Sequence, residues 1–164
     1  MSRQENIFLA TSMTVAEVAN LIVSHLGLLP VVERTITPDA EAVGLRGPAL
    51  DHEGSDLLLT VKTNEFSTPN PEPEDVQSFD PYRINIEAWL LPANDGVQIN
   101  EARGLFDRFV LVAPTVASQL VANLSYLVAA YLPEKGTHTF EPDVTPDIED
   151  QSTWLPWSVA PSAS

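Results

Sequence analysis

The chain has 164 residues, 23 acidic against 8 basic side chains, a formal net charge of −15 and no cysteine. That length suits one domain with its own core, and the missing cysteine excludes disulfides, thiolate metal sites and cysteine nucleophiles while fitting a reducing, cytoplasmic compartment. A surface this negative repels phosphate backbones and attracts basic proteins, so nucleic-acid binding is not expected and a cationic protein partner is; the plain alternative is acidity for solubility alone.

The opening twelve residues, MSRQENIFLATS, do not read as a signal peptide. Their apolar run, Ile7 to Ala10, is short, and Glu5 stands where a positive region belongs. Residues 7–11 read as a short buried strand. Thr14 and Glu17 have capping-box spacing, in which each side chain bonds the other's free backbone N–H. Val15, Val18, Ala19, Ile22 and Leu26 recur at helical spacing and Gly27 follows as a C-terminal cap. These predict a helix over 15–26.

Residues 31–36 and 42–50 have strand character, and DHEG at 51–54 closes a hairpin. Residues 56–63 alternate, with Leu57, Leu59 and Val61 on one face. Leu58 interrupts the polar face, which is expected to be partly covered. Four prolines make 67–81 a loop. Residues 83–91 read as another strand, with Ile84, Ile86, Ala88 and Leu90 facing the core and Trp89 on the opposite side.

Residues 97–132 admit two readings. A helix whose apolar face runs from Ile99 to Val110 can stop before Pro114, leaving 117–132 as two strands joined near Asn123; this is preferred. Alternatively 109–113 is a strand and 116–131 a helix. Within this region 109–132 carries no charge over 24 residues. Pro114, Gln119 and Asn123 interrupt it, so a buried run is expected rather than a membrane span.

The expected fold is therefore α+β. A mostly antiparallel sheet of five or six strands is packed by two helices in a single domain over 1–132. Residues 133–164, proline-rich and acidic, are expected as a tail docked on that domain, because so short a piece cannot bury a core of its own. Phe140, Trp154 and Trp157 are the means of docking, each tryptophan burying roughly 200 Å². One of the two tryptophans is expected over Trp89, and 158–164 is expected to be held weakly. The rival reading leaves a tail tryptophan exposed as a binding anchor.

Candidate chemistry is sparse. His25, His52 and His138 show no metal-ligand spacing, and no serine lies in a G-x-S-x-G setting. No glycine-rich phosphate loop is present. The acids around Asp147 do not alternate as a calcium loop requires. No catalytic, cofactor or metal residue is assigned, and the chain reads as a non-enzyme.

The acids do fall in two runs without a base. Glu65, Glu72, Glu74, Asp75 and Asp80 make the first. Glu141, Asp143, Asp147, Glu149 and Asp150 make the second. Should the runs adjoin, they form one negative surface. The expected partner-binding residues are Glu72, Glu74, Asp75, Asp80, Asp143, Asp147, Glu149, Asp150 and Trp154. An accessory or ligand-binding domain remains the alternative, its pocket lined by Phe79, Tyr82 and Trp89.

The order IFLATSMTVAEVANLIVSHLGL, FDPYRINIEAWLL, EARGLFDRF, LVAAYLPEKGTHTF and a tryptophan-bearing tail resembles small acidic immunity proteins of bacterial polymorphic toxin systems. That resemblance implies a non-enzymatic protein that binds and blocks a toxin domain; many such toxins are basic nucleases.

Overall fold

A computed structural model describes residues 4–31, 36–92 and 95–160. The strand read at 31–36 falls mostly outside these residues. Among the described residues, eight strands form one antiparallel sheet, with three α-helices and three single 3-10 turns. The strands are β1 (Glu5–Ala10), β2 (Leu29–Pro30), β3 (Ala42–Pro48), β4 (Asp56–Thr63), β5 (Ile84–Leu91), β6 (Ala117–Ala122), β7 (Tyr126–Leu132) and β8 (Gly136–Thr139). Their spatial order is β2-β3-β4-β5-β1-β6-β7-β8. The first strand is thus the centre, flanked by two meanders that arrive later in the chain.

Helix α1 (Val15–Leu26) forms for the reason its sequence gives. Thr14 accepts the N–H of Glu17, the Glu17 carboxylate accepts the N–H of Thr14, and Gly27 closes the helix at φ 76°. Helix α2 (Asp95–Val112) then carries the chain across β1 from β5 to β6. Both helices pack on one sheet face. Ile7, Leu9, Val18, Ile22, Ile86 and Phe106 are among the core side chains between them.

The preferred reading of 97–132, helix then hairpin, matches the structure. The uncharged run 109–132 divides between the end of α2 and the β6–β7 hairpin. Asn123 and Leu124 turn that hairpin with φ of 52° and 58°, the left-handed pair whose twist suits two paired strands. Among the described residues no helix is long and apolar enough to cross a membrane.

The strand count of five or six and the helix count of two are both too low. β2 is two residues long, β8 is the polar tetrapeptide GTHT, and α3 (Gln151–Trp154) is a single turn. None carries a periodic apolar signal. β8 pairs His138 with Ala130 and Thr137 with Tyr131, so residues 136–139 extend the sheet itself.

The opposite sheet face holds a second core. Phe8 stacks on Phe79 with ring centroids 4.5 Å apart. Tyr82, Val121, Leu127, Phe140 and Trp154 are buried around them. This cover comes from two irregular segments, 64–82 and 140–159, and these two build the candidate site.

Candidate partner-binding surface

The segment 64–82 contains no strand, yet it is held at both ends. Asn64, buried beyond β4, donates from Nδ2 to the carbonyls of Phe79 (3.1 Å) and Tyr82 (2.8 Å). Its Oδ1 accepts the N–H of Phe66. Asp80 turns inward and accepts the N–H groups of Gln77 (2.8 Å) and Thr68 (3.4 Å). Burial raises the Asp80 carboxyl above its usual range, and those two N–H bonds act in the opposite direction.

The tail is fixed by a parallel set of bonds. The carbonyl of Val144 accepts the N–H of Leu127 at 2.7 Å, next to the β6–β7 turn. Asp150 Oδ2 accepts both the N–H and the hydroxyl of Thr145, which lowers its pKa. Trp154 is 3% exposed, and its Nε1 donates to the Asp147 carbonyl at 2.9 Å. Trp157 is half-buried and stacks on His138, centroids 4.5 Å apart. Lys135 Nζ lies 5.3 Å from the same indole centroid and donates to the Pro156 carbonyl at 2.7 Å.

Of the two readings of the tail tryptophans, docking describes Trp154. The expected covering of Trp89 is not what the tail achieves. Trp154 sits in the cluster of Phe8 and Phe79, to which Trp89 does not belong. The reason is topological. The tail leaves from β8, while Trp89 pairs with Leu58 of β4 on the far half of the sheet. Ser158 and Val159 are held more firmly than expected: Ser158 Oγ donates to the Ser78 carbonyl (3.0 Å) and Val159 N–H to the Tyr82 hydroxyl (3.2 Å). Residues 161–164 lie outside the described residues.

Segment and tail meet. Ser78 N–H donates to the Pro146 carbonyl at 2.8 Å, and Gln77 Nε2 donates to Asp147 Oδ1 at 2.9 Å. The two acidic runs therefore adjoin. Glu74, Asp75, Asp147 and Glu149 line one cleft of about 360 Å³, together with Thr68, Val76, Gln77 and Ile148. Among the described residues no base lines it.

The surface is smaller than the ten-acid patch read from the sequence. Glu65 pairs with Lys62 Nζ at 2.5 Å, a base that β4 contributes from outside the run. Asp80 and Asp150 serve as local caps. Glu72 and Asp143 are exposed but are not among the cleft's lining residues. Trp154 is too buried to project as an anchor.

Beside the cleft runs a groove of about 490 Å³. Pro69, Pro71, Val76 and Pro81 line it from the loop, and Trp154, Leu155 and Val159 from the tail. The pocket read from the sequence differs. Phe79 and Tyr82 are 2% and 0% exposed, consumed by the core, and Trp89 is on the other half of the sheet.

A buried polar centre elsewhere escaped the sequence reading. Glu101 of α2 is fully buried; its Oε2 accepts the N–H of Leu50 (2.6 Å) and its Oε1 the N–H of Asp51 (2.9 Å), with His52 Nδ1 also 2.9 Å from Oε1. Arg108 grips Asp51 through two bonds of 2.9 and 2.7 Å. With its lone pairs so occupied, Glu101 staples the 50–52 turn to α2. The only signal was the acid itself on an apolar helix face.

Among the described residues no group of three or more His, Asp or Glu side chains is arranged to hold a metal ion. Comparison with protein-family models, curated proteins and solved structures finds no match to the chain.

Proposed function

We propose that this chain is a non-enzymatic acidic binding protein that neutralises a cationic protein partner. The observation that carries the reading is the cleft in which Glu74, Asp75, Asp147 and Glu149 come together from two distant stretches of chain. Carboxylates crowded without a base raise the local negative potential and speed encounter with a basic surface. The resemblance to immunity proteins makes a bacterial toxin domain the foremost partner class, and a cysteine-free chain suits a cytoplasmic setting.

The test begins with a partner captured from cells of the source organism and checked against a large toxin gene adjoining this one. Association kinetics then compare the wild type with the fourfold variant Glu74→Gln, Asp75→Asn, Asp147→Asn and Glu149→Gln. Steering by four charges predicts an association rate about tenfold slower at low salt and a much flatter salt dependence. Stability should hold, because an amide at 147 still accepts from Gln77. An association rate indifferent to both the substitutions and salt would reduce the cleft to a solvated face.

A second reading, an accessory or ligand-binding domain, draws on the apolar groove alone. It predicts binding of uncharged apolar molecules, unaffected by the fourfold variant.

A further inference from the structure

The groove and the acidic cleft share a wall. Thr68, Val76 and Gln77 line both. On one side of that wall the exposed lining is mainly apolar, from proline, valine, tryptophan and leucine, with Asp80 and several uncharged polar residues among them; on the other stand four carboxylates. Leu155 is 50% exposed at the groove, a large apolar side chain left partly in water beside other apolar surface. Single exposed leucines are ordinary, but one that borders a concave apolar slot is surface a partner can remove from water.

Both walls are fixed before any partner arrives. Asn64 and Asp80 brace the loop wall, and the Trp154–Asp147 bond braces the tail wall. A site so held binds without the cost of ordering its own chain.

We propose that the groove seats a large apolar side chain of the cationic partner, while lysine or arginine residues flanking that side chain reach into the cleft. The inference rests on the acidic-binding reading and adds the chemistry of the recognised segment: apolar anchor beside basic residues. Charge complementarity singles out this occupant. An acidic or phosphorylated segment, or an anionic lipid headgroup, meets four carboxylates at the neighbouring cleft. The two halves have separate kinetic duties. The cleft governs association and its salt dependence; the groove, which buries the anchor, governs dissociation.

The experiment titrates the isotope-labelled full chain with three peptides of equal length, read by amide chemical shifts. One carries a leucine flanked by lysine pairs. The second has serine for leucine, and the third glutamine for every lysine. The first is expected to shift the amides of Val76, Gln77, Leu155 and Val159. Each of the others should bind about tenfold more weakly, the loss typical of one buried side chain or of a set of steering charges. In Leu155→Ser, a change at a half-exposed position that leaves the core intact, the advantage of leucine over serine should shrink while lysine dependence persists. Equal binding of the leucine and serine peptides overturns the groove inference and leaves the acidic reading standing. Equal binding of the lysine and glutamine peptides overturns the acidic reading and, with it, the cationic occupant. Absence of shifts with all three overturns both.

Discussion

The indole N–H of Trp154 donates to the backbone carbonyl of Asp147 at 2.9 Å, so the residue that seals the second core also positions the acidic run above it. Stability and the candidate binding surface are coupled through this one side chain.

Replacing Trp154 with alanine is expected to cost about 3–5 kcal/mol, the range for truncating a buried aromatic. Trp154→Phe keeps most of the area and loses the N–H bond, so about 1 kcal/mol plus a small cavity term is expected. Deleting 140–164 removes Phe140 as well and should be worse than either. Urea denaturation of the three variants gives the ranking. An unchanged midpoint in the deletion would mean that the tail is not docked in solution.

Glu101 supplies the second prediction. Glu101→Ala strips acceptors from two backbone N–H groups at 50 and 51, at a cost of about 2–3 kcal/mol. Glu101→Gln retains one acceptor oxygen and should cost about half as much. The distinguishing readout is hydrogen exchange. The amides of Leu50 and Asp51 should lose protection in the alanine variant beyond what the global destabilisation explains. Uniform loss across the sheet would show that Glu101 acts on the core rather than on the turn.

The fold was legible wherever the apolar period was long. Helix α1, β4, β5 and the helix-then-hairpin order of 97–132 follow from spacing, capping residues and Pro114. What stayed hidden has a physical reason in each case. β8 is a four-residue edge strand alternating exposed and half-buried polar side chains, so it carries no hydrophobic pattern. Glu5 and Gln98 are buried within bonding distance of each other, 93 residues apart, and pairing at such separation leaves no local trace. The candidate site was half legible. The two acidic runs announced themselves by composition. Their adjacency is set by Ser78 and Gln77 reaching the tail, and the recruitment of Lys62 to Glu65 is equally a product of packing.

Gly104 lies in α2 against Asp51. A Cβ added there would stand 1.9 Å from Asp51 Oδ2 and 3.0 Å from Arg108 Nη1. Asp51 is the movable partner, and moving it breaks the Arg108 fork, an exposed pair worth roughly 0.5–1 kcal/mol. Against this, alanine in a helix interior gains about 1 kcal/mol over glycine. The two nearly cancel, so Gly104→Ala alone is expected to be close to neutral. In an Asp51→Ala background only the flexible end of Arg108, no longer held by the aspartate, remains close to the added Cβ, and the same change should stabilise by about 1 kcal/mol. A double-mutant cycle measures the difference; equal effects in both backgrounds would remove the steric conflict from the account.

Two aspartates should report opposite responses to acid. The hydrogen bonds from Arg108 hold the Asp51 pKa below 3.8, an effect that its partial burial opposes. Its contribution is therefore fully present above the unfolded pKa and is lost as pH falls through the lower folded value. Asp80 is the reverse case. Burial raises its pKa above 3.8 despite the N–H bonds from Gln77 and Thr68. The folded state is penalised for holding that charge above the raised value, and acidification toward 3.8 relieves the penalty. Asp51→Asn should thus be destabilising at neutral pH, with the deficit beginning to shrink as the pH drops below 3.8 and continuing to shrink toward the lower folded value. Asp80→Asn should compare best with wild type at neutral pH and progressively worse on acidification. Denaturation midpoints between neutral pH and pH 3, taken as differences from wild type, test both trends. Parallel trends would mean that the N–H bonds, rather than desolvation, govern Asp80, and the loop would then owe its fixed shape to a carboxylate held charged.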